Sequence, residues 1–70
     1  VQLEEYEQAI ELFTDAIKLD SMSHKAYYNR GLAYELLGQY DNAKSDYYKA
    51  LEISPNYPLA IQGLNILDNK

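Results

Sequence analysis

The chain has 70 residues, no cysteine and a net charge of −5, with 47% hydrophobic and 24% charged residues. A chain of this length forms one small domain, and without cysteine it has neither a disulfide nor a thiolate zinc site to stabilise a small core. We expect no membrane insertion, since no apolar run approaches the roughly 18 residues of a membrane span, and no signal peptide. The absence of cysteine suits a reducing compartment, and we expect a cytoplasmic location.

Helical periodicity and its stop signals divide the chain into four segments, over about 7–19, 24–37, 41–53 and 58–69. Glycine just past a helix and proline soon after one are stop signals, and Gly38 and Pro55 stand at such places. The tight connections between the segments lie near Asp20–Ser23, Gly38–Tyr40 and Ser54–Tyr57. Loops this short make neighbouring helices antiparallel. Since nothing alternates with a period of two for long, the sequence predicts an all-α fold.

The first segment is strongly acidic. Residues 1–20 carry six acids against Lys18 alone, whereas the other fifty residues balance five acids against five bases. A solvated helix face is the ordinary interpretation of such a charge run, and a docking surface for a basic partner is the alternative. Because an acidic chain repels phosphate backbones, we expect no nucleic-acid partner.

The sequence repeats after 34 residues. Five residues recur identically at this distance, namely Leu3, Tyr6, Ala9, Ala16 and Ala26 at Leu37, Tyr40, Ala43, Ala50 and Ala60. Phe13 and Ile17 recur conservatively as Tyr47 and Leu51. The central matches fall at helical spacing, so one helix face is repeated in the first and third segments.

Gly31 lies in the tyrosine-rich stretch of the second segment, where glycine costs about 1 kcal/mol relative to alanine. Small residues on two helices allow their backbones to approach closely, and the third segment offers Ala43 and Ala50. Aromatic side chains such as Tyr47 would fill the remaining space, and their burial would offset the propensity cost. Gly31 therefore predicts a packing contact between the second and third segments.

These residues resemble the tetratricopeptide repeats, whose pattern is W-x2-L-G-x2-Y, then A-x3-F, then P, with a period of 34. The corresponding residues here are Tyr27, Arg30, Gly31, Tyr34, Ala43, Tyr47 and Pro55. The resemblance implies an α-solenoid of antiparallel helix-turn-helix units, with a full repeat over about 24–57. Residues 1–23 would be the second half of a preceding repeat and 58–70 a terminal, capping-like helix. Residues 1–70 would then form a single unit, an excerpt of a longer array.

Some residues depart from the family pattern, and Tyr27 in the place of tryptophan is a mild change. Arg30 replaces leucine, and we expect its stem to pack while its charged head reaches water. In the last helix Asn65 stands in the place of the glycine and Asp68 in the place of Tyr34. Both residues oppose the packing of another helix, which is why a capping role is expected there.

The resemblance also implies a binding face, because the first helices of successive repeats in this family line a concave groove that holds peptides or partner helices. By position, this groove face presents Lys25, Tyr28, Asn29, Leu32, Glu35 and Leu36, and the last helix adds Leu59, Gln62, Gly63 and Ile66. Tyr28 is either a half-buried residue of the groove wall or a residue that anchors a partner. Tyr48, outside this groove, has the same two alternatives. Lys25 and Asn29 suit a carboxylate or a peptide backbone. Some members of the family clamp the terminal carboxylate of a chaperone tail with basic residues and asparagines on several first helices. Because only Lys25 and Asn29 match that clamp here, we expect a different partner.

The sequence offers no catalytic constellation. It contains no nucleophile–base set, phosphate loop or HExxH motif, and His24 has no third ligand for a metal, so we expect no enzyme, metal or cofactor. We expect a non-catalytic module that binds a protein or peptide. The alternative is a structural or spacer unit that self-associates, because one neighbour cannot cover Ile10, Phe13 and Ile17 together.

Overall fold

The computed structural model describes residues 3–69, which form four α-helices. These are α1 (Leu3–Leu19), α2 (His24–Leu36), α3 (Tyr40–Ile53) and α4 (Pro58–Asp68). The four predicted segments are confirmed, with α1 beginning about one turn earlier than its pattern indicated. No strand occurs in this range, so the predicted all-α fold is confirmed.

Local signals set the ends of the helices. The Ser23 hydroxyl caps α2 by accepting a hydrogen bond from the Ala26 N–H at 3.3 Å. After α2 the chain turns at Gly38, whose φ of 81° is a left-handed conformation that glycine adopts without steric cost. Pro58 opens α4 in its first turn, where a missing N–H costs nothing. These short connections turn each helix back against the preceding one.

The helices pack in two layers. α2 packs against α1 and α3, α3 packs against α4, and α2 also touches α4. One layer therefore contains α1 and α3 and the other contains α2 and α4, in a slab with extents of 33 × 31 × 15 Å. Because consecutive helices are antiparallel, α2 and α4 run in the same direction. This arrangement is that of a helical solenoid.

Tyr47 lies at the centre of the core, and its side chain is fully buried. A methyl group added at Gly31 would come within 2.8 Å of the Tyr47 Cε1 atom, and one added at Gly63 within 2.7 Å of Cε2. The Tyr28 ring stacks on the same ring with the centroids 5.6 Å apart. The tyrosine thus occupies space left by two glycines, and Gly31 makes the packing contact that the sequence predicted.

The expectation that the head of Arg30 reaches water is wrong. Its guanidinium donates to both carboxylate oxygens of Asp46, at 2.7 and 2.8 Å, and to the Thr14 hydroxyl at 3.2 Å. The same group lies 5.6 Å from the centroid of the Tyr27 ring and 5.9 Å from that of Tyr34. The hydrogen bond to Asp46 raises the pKa of Arg30. The nearly buried carboxylate draws the head inward, because an unpaired buried charge is unfavourable.

The outer side of α4 is exposed at both positions that depart from the family pattern, Asn65 and Asp68. The Asp68 carboxylate lies 3.6 Å from the Lys44 ammonium group of α3. This ion pair ties the end of α4 to α3 and places polar groups where the pattern would have packing residues. The capping role of the last helix stays a prediction.

We expect Gly31→Ala to lower the free energy of unfolding by about 1 kcal/mol. Alanine gains about 1 kcal/mol of helix propensity, but overpacking a core costs about 1–3 kcal/mol. The added methyl would also meet the Ala43 carbonyl oxygen at 3.2 Å, and Gly63 prevents the Tyr47 ring from moving away on its other side. Urea titration followed by circular dichroism measures the change. Asn29→Ala, at an exposed position of the same helix, is the matched control and should not destabilise. An unchanged or raised value for Gly31→Ala would contradict the close contact.

Candidate functional site

The outer surface of the α2 and α4 layer carries most of the residues that the sequence predicted for binding. The exposed residues of this surface are Lys25, Asn29, Leu32 and Leu36 of α2 and Leu59, Gln62 and Ile66 of α4, which we call the α2–α4 face. In each helix they recur at intervals of three and four residues, which places them on one side of that helix. Leu59 and Ile66 lie 34 residues after Lys25 and Leu32, so these exposed residues occupy equivalent positions on two helices that contact each other.

The α2–α4 face is mostly uncharged. Leu36 is 54% exposed and Ile66 is 46% exposed, and Leu32 and Leu59 add further exposed apolar surface. Asn29 and Gln62 supply amides, and Lys25 is the only charged residue among the exposed residues of this face. Contiguous exposed apolar surface with a few polar groups is characteristic of a surface that contacts another molecule.

Two residues predicted for this face, Tyr28 and Glu35, are half-buried rather than open to solvent. The Tyr28 ring stacks on Tyr47 and meets the Tyr57 ring edge-on, with 5.6 Å between the centroids in each case. Burial raises the pKa of Tyr28, and the neighbouring Tyr57 and Glu35 raise it further. Tyr28 is therefore a wall between the core and the face.

Glu35 is connected to the core by a hydrogen bond. The Tyr47 hydroxyl donates to its Oε1 atom at 2.8 Å. Burial, and then this bond, raise the pKa of Tyr47 far above its ordinary value, so the hydroxyl stays protonated and is a donor. Sequence reasoning missed this bond, although a signal was present. The family pattern has phenylalanine where this chain has Tyr47, and a buried hydroxyl needs a partner.

The prediction that Gly63 lies on the binding face is wrong. Gly63 is buried, and a methyl group at its Cα would lie 2.9 Å from the Tyr47 Cζ atom. The prediction followed the equivalence of Gly63 with Asn29, which is exposed. α4 instead turns this position inward, because only a residue without a side chain leaves room for the ring.

A weaker candidate lies between the two layers. An open depression of about 470 Å³ between α2 and α3 is lined by Tyr27, Arg30, Ser45, Asp46, Tyr48, Lys49 and Glu52. Its charges are paired with one another, since Arg30 binds Asp46 and the Lys49 ammonium lies 3.1 Å from the Glu52 carboxylate. The bond between Lys49 and Glu52 raises the pKa of Lys49. The depression therefore presents no unpaired charge among these four groups.

The structure also bears on metal sites and membranes. Within residues 3–69, no three His, Cys, Asp or Glu side chains gather closely enough to hold a metal ion. His24 packs its ring edge-on against Tyr57, with the centroids 4.7 Å apart. None of the four helices in the same range is both long and apolar enough to cross a membrane.

A 34-residue period, two layers of antiparallel helices and an exposed face on one layer define a helical-repeat protein. Comparison with family models identifies the repeat. A model described as "Tetratricopeptide repeat" matches residues 24–57, and another described as "TPR repeat" matches residues 1–38. The chain belongs to the tetratricopeptide repeat family, a fold that serves protein–protein interaction.

Curated proteins similar to this chain include two with heat-shock names. It is 38% identical over 76% of its length to Hsp70-Hsp90 organizing protein 2 of Arabidopsis thaliana. It is 35% identical over 91% of its length to the heat shock protein sti1 homolog of Schizosaccharomyces pombe. A third relative is sperm-associated antigen 1 of Rattus norvegicus, 42% identical over 69% of the chain. The chain spans only 9%, 12% and 5% of these proteins, respectively.

Proposed function

We propose that this chain is a non-catalytic module that holds a segment of another protein on its α2–α4 face. The observation that carries the proposal is the exposed apolar row of Leu32, Leu36 and Ile66 on a face whose exposed residues carry a single charge. Such a face suits a protein segment, because the side chains of the segment can pack on the exposed apolar residues. The backbone groups of the segment can form hydrogen bonds with the neighbouring amides. Membership of a family of interaction repeats supports the same function.

The heat-shock names of two relatives raise the question of a chaperone tail as the bound segment. A terminal carboxylate is best held by several cationic groups. On the α2–α4 face Lys25 is the only one, and the equivalent position of α4 is Leu59. We therefore propose a partner with apolar anchors rather than a carboxylate-terminated tail, and a cytoplasmic location in keeping with the absence of cysteine.

The alternative is a structural or spacer unit that self-associates through α1. Its support is the outer side of α1, where Leu12 is 68% exposed and Leu19 is 90% exposed. No residue of α1 in the described range is fully buried, and exposed apolar surface of this kind is often covered by a second copy. The acidic residues interleaved with these leucines instead favour either a solvated face or a basic partner.

Site-specific photo-crosslinking in cells separates the two functions. A photoreactive phenylalanine analogue at Leu36 is expected to capture another protein, and the additional change Ile66→Glu should abolish capture by placing a charge on the apolar row. The matched control carries the analogue at Tyr48, which is exposed on α3 in the other layer. If the analogue at Leu12 gave a crosslinked product with twice the mass of the protein, and the analogue at Leu36 gave no product, the result would favour self-association and contradict the proposal.

A further inference from the structure

We propose that Glu35 is a recognition site for a cationic side chain, arginine or lysine, of the bound segment, and that the Tyr47 hydroxyl positions it. This inference rests on the proposed function, because it specifies the chemistry of the partner at the same face. It assigns to the segment a basic residue among its apolar anchors, and so a character opposite to that of an acidic tail.

Glu35 and Asp46 are the two acids of residues 3–69 that are not exposed, and of these two only Asp46 is paired with a cation. Asp46, Glu52 and Asp68 each lie within ion-pair distance of a cation. No ion pair joins Glu35 to a cation within residues 3–69, although its side chain is half-buried. Its hydrogen-bond donor there is a neutral hydroxyl, which takes up one of about four acceptor positions of a carboxylate.

A half-buried carboxylate without a cation favours the binding of one. Part of its desolvation has already occurred in the free protein, and its interaction with a cation is stronger than at a fully exposed site. The bond from Tyr47 holds the carboxylate but leaves its negative charge unneutralised. A partner that brings a guanidinium or ammonium group therefore gains an ion pair without competing with one inside the chain.

Tyr47 gives this carboxylate a fixed position. The ring lies against the backbone at Gly31 and at Gly63, where even a methyl group would come within 2.8 and 2.7 Å of it, and its hydroxyl donates to Glu35. Packing alone would be served by phenylalanine, the residue of the family pattern at this position. The hydroxyl therefore adds a function that the core does not require, and that function is to orient Glu35.

The surroundings of Glu35 suit a long basic side chain. The exposed Leu36 is the next residue, and Leu32 lies one turn earlier, so the alkyl stem of an arginine or lysine would cover apolar surface while its head reaches the carboxylate. Lys25 lies ten residues before Glu35 on α2, about 15 Å away at 1.5 Å per residue. At this distance salt screens the repulsion between Lys25 and a cationic side chain bound at Glu35. The net charge of −5 also attracts a basic segment.

The test uses a phage-displayed library of random peptides of about 12 residues, selected on the wild-type chain. We expect the selected peptides to share an arginine or lysine at one position. Changing that residue to glutamine should weaken binding about tenfold, between the effects of an exposed and a buried ion pair. On Glu35→Gln, which keeps the size of the side chain, the two peptides should bind equally. Glu11→Gln, at an exposed acid of α1, is the matched control and should preserve the tenfold difference.

Tyr47→Phe tests the positioning role, with circular dichroism to establish that the variant is folded. A purely structural hydroxyl would change the affinities for both peptides alike, whereas a positioning hydroxyl lowers the ratio between them. We expect that ratio to fall several-fold. A ratio equal to that of the wild type would overturn the positioning role.

The outcomes distinguish the two proposals. Selected peptides that lose binding on Leu36→Glu but show no basic preference would overturn the assignment of Glu35 and leave the α2–α4 face as the binding surface. Peptides unaffected by Leu36→Glu would overturn the proposed function and the assignment together, as would a selection that yields no peptide. A basic preference that persists on Glu35→Gln would assign the cation to another acid.

Discussion

Tyr47→Ala is expected to lower the free energy of unfolding by about 3–5 kcal/mol, the range for removing a buried aromatic ring. A domain of this size has a total free energy of unfolding of only several kcal/mol, so a large fraction of the Tyr47→Ala molecules should be unfolded at 25 °C. The effect is large because one ring fills the space left by Gly31 and Gly63 and supports the stacked ring of Tyr28. No other residue in the described range combines a large side chain with complete burial.

Tyr47→Phe provides the control for this prediction. It keeps the ring and removes one hydrogen bond, so we expect a loss of about 1 kcal/mol. Urea titration of both variants, followed by circular dichroism at 222 nm, measures the difference. A Tyr47→Ala variant as stable as Tyr47→Phe would contradict the central position of the ring.

Arg30→Ala is the second change with a large expected effect, about 3–5 kcal/mol of unfolding free energy. The variant leaves the Asp46 carboxylate, whose side chain is 6% exposed, without its cation. Removing one partner of a buried ion pair has a destabilising effect of this size. Asp46→Ala should cost less, because the Arg30 side chain is 19% exposed and its head can turn toward water. Thermal or urea unfolding of the two variants tests this difference, and Arg30→Ala is expected to be the less stable.

The double variant Arg30→Leu/Asp46→Leu should be close to the wild type in stability. Replacing both members of a buried pair by apolar residues of similar volume is often neutral or stabilising. The family pattern has leucine at the position of Arg30, and Leu12 occupies the position of Asp46 one period earlier. A double variant as unstable as Arg30→Ala would mean that the volume or the Thr14 contact, not the charge, is what the core needs.

The helices and their repeat could be predicted from the sequence because their causes are local. Periodicity, Gly38 and Pro55 act within a few residues of the helix ends that they define. The role of Gly31 was also predictable, since a glycine among aromatic residues has little other purpose in a helix. Lys25 and Leu36, which the family resemblance assigned to the groove face, are exposed on α2, and their role in binding stays a prediction.

What could not be predicted depends on partners distant in sequence. The orientation of Arg30 follows from a carboxylate 16 residues away, and the preference of long basic side chains for water gave the wrong answer. The burial of Gly63 follows from the ring of Tyr47 on the preceding helix. Arg30 and Tyr47 stand where the family pattern has leucine and phenylalanine, and each difference is visible in the sequence alone. Their partners Asp46 and Glu35 became recognisable only once the helices were assembled.

The central claim, that the α2–α4 face holds a protein segment, is tested most directly by methyl NMR of the chain titrated with a library-selected peptide. We predict that the methyl signals of Leu32, Leu36 and Ile66 shift together with one saturation curve, while those of Leu12 and Leu19 on α1 stay in place. Shifts confined to the leucines of α1, with the α2–α4 face unchanged, would contradict the claim and point to the opposite layer as the binding surface.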